Sequence, residues 1–259
     1  MSGSALDGTE PSGAGHSAVG AVGALARAGA REYRRAPVLL ALLVALPAYV
    51  IGLFSVVIPA TDVGFSVAGE PVATTLTTAA TAFTTPMVAA LLAGIAGLFL
   101  MSGVENDGRL LVAGYRAHEV ILGRLGLLAL VSLVATAVPV GVMLLTYRPE
   151  ATGAFVLAVW LTAVVYGMGG VVVGTRLDRL PGVYLVLFGA MVDLFLFQNP
   201  LASDSPAFAP ALPGHFPMSV AMEAAFVGTV DWTGIAYSAL VLVVATLLAT
   251  LVYRRAMAT

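Results

Sequence analysis

The chain has no cysteine and no lysine; its twelve basic residues are all arginine. Without cysteine there are no disulfides, no thiolate nucleophiles and no thiolate metal ligands. Without lysine the chain cannot carry the phosphate-cradling G-x-x-x-x-G-K-[ST] loop of an ATPase, nor a lysine Schiff base of the retinal type. If ATP powers this protein, another subunit hydrolyses it. Charge of either sign is also scarce, at 10% of residues, against 59% hydrophobic residues and a mean hydropathy of +0.99. Soluble domains run near 25% charged and 45–50% apolar, so the composition predicts an integral membrane protein. The net charge of -2, with arginines beside apolar runs and not in one patch, argues against nucleic acid as a partner.

The charge-free runs are long and rich in Leu, Val and Ala without strict alternation, which favours membrane-spanning helices over a barrel. The expected fold is an all-α integral membrane protein with six transmembrane helices, near 36–60, 82–103, 125–146, 151–174, 180–197 and 232–253. Eleven of the twelve arginines then fall on one side, and Arg148 alone on the other. By the positive-inside rule both termini are cytoplasmic and the protein is multi-pass in the cell membrane. Residues 1–18 read as a disordered cytoplasmic tail, 19–259 as one membrane domain, and 198–231 as a Pro-rich external segment. The apolar run 71–104 is too long for one untilted crossing, so its first part is expected outside the bilayer.

Ahead of the first span, Arg27, Arg31, Arg34 and Arg35 recur at helical spacing while Val22, Leu25 and Tyr33 face elsewhere. This pattern predicts an amphipathic interfacial helix; the plainer alternative is the positive flank that orients any first span.

Catalytic signatures are missing: there are no paired intramembrane aspartates, no H-E-x-x-H, and no histidine pair with ligand spacing among His16, His118 and His215. No catalytic residue, metal site or cofactor is expected. Asp193 is the one acid well inside a span, and intramembrane carboxylates are functional candidates by default. Its closeness to Asn199 and Pro200 leaves a structural role at the external interface equally open. Thr74, Thr78, Thr81 and Thr85 form a helical stripe ahead of Pro86 that either presents hydroxyls to a pathway or bonds back to its own helix. Gly170 with Gly174, and Ala90 with Gly94 and Gly97, mark small-residue packing faces whose partners the sequence does not name.

The most polar interior segment, 105–124, contains Glu105, Asp107, Gly108, Leu110, Arg116, Glu119 and the pair Gly123-Arg124. An acid, then Gly-x-Leu, then Arg, then an apolar run ending in Gly and a basic residue resembles the loop between the second and third spans of ABC-2 type ABC transporter permeases. Arg124 stands where lysine is usual, and Arg116 follows Gly108 more closely than in the common pattern. The resemblance extends to the interfacial helix, the six spans and the large insertion between the fifth and sixth.

That resemblance implies a permease subunit, an exporter, working as a homodimer or heterodimer on separate ATP-binding cassette subunits that bind the ATP. It also implies that Glu105, Asp107, Gly108, Leu110, Arg116, Glu119 and Arg124 form the coupling surface. Two other readings stand beside it: a stand-alone ion-coupled carrier using Asp193, and a non-transporting membrane scaffold.

Overall fold

A computed structural model describes residues 37–101, 116–202 and 206–257. The tail, the arginine stripe Arg27, Arg31, Arg34 and Arg35, and Glu105, Asp107, Gly108 and Leu110 of the polar segment lie outside the described residues.

The described chain is mostly helical. Helix α1 (Pro37–Val57) opens with proline at a tolerated first-turn position. Strands β1 (Asp62–Val67) and β2 (Glu70–Thr75) pair antiparallel, from Asp62 opposite Thr75 to Val67 opposite Glu70. Both residues of the connecting turn, Ala68 and Gly69, have positive φ (52° and 84°), which suits the twist of a tight hairpin. Then come α2 (Leu76–Leu100), α3 (Ala117–Met143), α4 (Thr152–Gly174), α5 (Arg179–Met191), a π-helical turn (Val192–Phe197), α6 (His215–Phe226) and α7 (Trp232–Met257).

Five of these stretches are long and apolar enough to cross a membrane: Leu76–Leu100, His118–Met143, Thr152–Gly174, Arg179–Phe197 and Trp232–Ala256. The architecture is that of a helical membrane protein. The hairpin departs from the all-α expectation. Its second strand falls at the start of the apolar run 71–104, and a short half-exposed ribbon leaves little periodic signal. It also shifts boundaries. The second long helix begins at Leu76, not near 82, because Thr75 caps it by accepting from the Thr78 amide (3.3 Å). The third begins at Ala117, not near 125, since charged residues at the end of a helix are compatible with continued helical hydrogen bonding. The segment 198–231, expected as an external loop, contains the twelve-residue helix α6, whose Met218, Ala221 and Ala225 are fully buried.

Burial identifies the axis of the bundle. In the most apolar stretch of α2, 89% is buried inside the protein, against 11% in α7, so α2 is central and α7 keeps most of its surface for lipid. Glycine makes the central contact close. A β-carbon on Gly97 would overlap the Gly167 carbonyl, and one on Gly170 would overlap the Gly94 carbonyl. The small faces of α2 and α4 therefore pack on each other, backbone against backbone.

The two ends of the bundle differ in charge. At one, where Met101 meets Gly174 and Tyr253 packs with Leu100, Ile121 and Leu125, Arg116, Arg176, Arg179, Arg254 and Arg255 are exposed. At the other, the hairpin end, Asp62, Glu70 and Glu150 are exposed and Arg148 is the single described arginine.

Candidate functional site

At the hairpin end a buried carboxylate ties three elements together. Asp193 is 6% exposed and accepts from the Tyr166 hydroxyl of α4, from Gln198 Nε2 (3.2 Å), and from the backbone amide of Gly214 (3.0 Å) just ahead of α6. The π-turn makes this set reachable: the Gln198 amide donates to the Asp193 carbonyl (3.1 Å), five residues back. That widened turn brings the Gln198 side chain over the carboxylate. Gly214 is required by close approach, since a β-carbon there would run into Leu194, the Tyr166 hydroxyl and Asp193 Oδ2.

The network extends one residue further. Gln198 Nε2 also donates to the Ala209 carbonyl (3.1 Å), so its amide nitrogen faces two acceptors and its orientation is fixed. Gln198 Oε1 then lies 2.9 Å from His215 Nδ1 and must accept from it. The ring is therefore the Nδ1-protonated tautomer, with Nε2 as an acceptor. Burial lowers the His215 pKa from its ordinary value of 6.5, while the nearby Asp193 charge pulls it the other way.

A bare carboxylate at membrane depth costs about 2.5–3.5 kcal/mol on insertion scales. Three donors offset that cost, since hydrogen bonds to charged groups contribute roughly 1.5–3 kcal/mol each. All three are neutral, so they hold the charge in place without cancelling it.

The far end of α6 is also pinned. The amides of Glu150 and Ala151 donate to the carbonyls of Ala225 (3.2 Å) and Ala224 (2.8 Å), and the Tyr147 hydroxyl donates to Ala225. Burial, with the Glu150 charge, pushes the Tyr147 pKa up to about 12, so that hydroxyl remains a donor. The Phe226 ring stacks on Tyr147 and takes the edge of Phe65 from the hairpin.

The structure distributes the sequence candidates as follows. Asp193 is at the centre of the buried network. Thr81 and Thr85 turn their hydroxyls into their own helix, donating to the carbonyls of Thr77 and Thr81 (2.8 Å each), and the Thr78 hydroxyl pairs with that of Thr75 (2.9 Å). Arg116 and Glu119 meet at the start of α3, where the Arg116 amide donates to Glu119 Oε2 (3.0 Å), and Arg124 follows two turns on. These three lie at the opposite end of the bundle from Asp193. Tyr166, Gln198, Gly214 and His215 escaped the sequence reading. The signal available was Gln198, a polar residue closing the same apolar stretch that holds Asp193.

No protein-family model matches the chain, and no curated protein does. The resemblance to ABC-2 type permeases therefore rests on the residues that carry it.

Proposed function

We propose that the chain is the membrane-spanning subunit of an ATP-driven transporter, an ABC-2 type permease of the exporter kind. In this reading α1, 21 residues or about 31 Å long, is the first of six spans in the cell membrane. Both termini and the arginine end are cytoplasmic by the positive-inside rule. Two copies, or one copy with a related permease, form the path, and separate ATP-binding cassette subunits supply the energy.

The observation that carries this reading is the junction of the polar segment with α3. Arg116, which belongs to the resemblance, caps a helix that continues unbroken to Met143, and Glu119 in its first turn accepts from the Arg116 amide. A push on segment 105–124 by a partner subunit would move that helix as a lever. The tight α2–α4 contact gives it a rigid body to act against. At the opposite end the Asp193 network holds α6 over the bundle, so the insertion between the last two spans would cap the external mouth. The three donors fit an anchoring role for Asp193 better than the cycling protonation a stand-alone carrier needs.

The test is gentle purification of the tagged protein from native membranes, beside a Glu105→Arg/Arg116→Glu variant. An ATPase that co-purifies with the parent and falls to background in the variant supports the permease reading. Absence of an ATPase from both samples overturns it in favour of the carrier, which a loss of pH-dependent uptake in Asp193→Asn would then support.

A further inference from the structure

Adjoining the Asp193 network, with which it shares Gln198 and His215, a cavity of about 290 Å³ opens at the hairpin end, bounded by the hairpin tip, the exit of the π-turn and one face of α6. Its size is at the lower limit of ligand pockets, about 300–1,000 Å³, and suits a small molecule.

The lining is chemically one-sided. Among the described residues its charged side chains are two carboxylates, Glu223 and Asp231, and no arginine lines it. Neutral donors fix each carboxylate without cancelling its charge: the Thr229 hydroxyl on Glu223 Oε1 (2.5 Å) and the Thr233 amide on Asp231 Oδ1 (3.0 Å). Ser219 spends its hydroxyl proton on the His215 carbonyl (2.9 Å), which leaves its oxygen as an acceptor. The His215 ring, held by Gln198 through Nδ1, is also part of the lining. Phe197, Met218 and Met222 supply an apolar wall of aromatic and polarizable groups, which favour a nearby cation. A bare metal ion fits poorly, because among the described residues no three His, Asp or Glu side chains converge to hold one.

We propose that this cavity binds a small protonated organic amine, its ammonium held by Glu223 and Asp231 and its apolar body against Phe197, Met218 and Met222. The complementarity is direct: the pocket presents acceptors and negative charge, and an alkylammonium presents donors, positive charge and a short hydrocarbon. The exposed acid Glu70, at the hairpin tip opposite Val67 of the lining, adds a field that draws cations toward the opening. This inference stands whether or not the chain couples to an ATPase.

Saturation-transfer difference NMR on the purified full chain in a neutral maltoside detergent tests it, with n-butylammonium as the probe and n-butanol and butyrate as shape-matched controls. The expected result is saturable binding of butylammonium alone, weakened about tenfold or more in Glu223→Gln/Asp231→Asn, as loss of charged hydrogen bonds implies. Ser219→Arg is expected to abolish binding, because it puts a competing cation in the pocket. Ser219 is exposed, so that variant keeps the test decisive should the double variant not fold. Butanol or butyrate binding as tightly as butylammonium, no saturable binding by the parent, or parent-like binding by Ser219→Arg would overturn the proposal.

Discussion

The waist of the bundle and its hairpin end are held together by opposite means. At the waist, α2 and α4 meet through Gly94, Gly97, Gly167 and Gly170, with no side chain between the backbones. Stability there comes from dispersion over a close-packed surface, which is lost abruptly if anything is inserted. At the hairpin end, α6 buries an apolar face in the core and is tied in addition by a carboxylate, an amide side chain and a few backbone bonds. Those polar ties can be released one bond at a time. The close contact at the waist is made by glycine faces, and the polar ties at the hairpin end centre on one buried aspartate.

Three changes bear on this contrast, in descending order of effect. Gly170→Val drives a side chain into the Gly94 carbonyl and is expected to cost about 3 kcal/mol or more. In detergent it should yield little monodisperse protein, and parent-like melting would refute backbone contact at the waist. Asp193→Ala removes an acceptor shared by three donors at a total cost of about 1–3 kcal/mol, since the half-buried Tyr166 and Gln198 can turn to water. Hydrogen exchange should accelerate through α6 while the amides of α2 and α4 keep their protection; equal acceleration in both places would erase the distinction between the two regions. Asp193→Asn keeps one acceptor oxygen and should fall between Asp193→Ala and the parent.

The smallest effect is that of pH. Because the His215 pKa is lowered from 6.5 in the folded protein, the unfolded state binds the extra proton first. Stability from this group is therefore complete above about 6.5 and is lost as pH falls through the folded value. Going from about pH 8 to about pH 5, the protection factors of the α6 amides, which are corrected for the intrinsic slowing of exchange in acid, should fall modestly. His215→Gln should flatten that response, and an unchanged slope in that variant would assign the pH dependence to another group.

Much of the membrane architecture was legible in the residues. Four of the expected spans coincide with long helices to within a few residues at most ends, because twenty-odd apolar residues between charges leave few alternatives to a helix in a bilayer. The hairpin was not legible: Glu70 separates the apolar residues of its two strands, and those of the second, such as Val72, join the apolar run of the following span. Helix α6 was hidden in a proline-rich segment, since its burial depends on where the other helices leave room. For the site, Asp193 could be singled out on cost alone, whereas Tyr166, Gln198 and Gly214 lie 27, 5 and 21 residues from it and only the fold brings them together.

The sequence by itself determined that this is a lysine-free, cysteine-free membrane protein of long helices, with its described arginines, Arg148 apart, at one end and with small-residue faces that must pack closely. Those properties depend on composition and periodicity, which act locally along the chain. Only the tertiary structure decided that the glycine faces of α2 and α4 meet each other, that Asp193 reaches neutral donors from three elements, and that α6 closes one end above a pocket lined by carboxylates. Each of these is a pairing between distant residues, and such pairings depend on how the helices fill space.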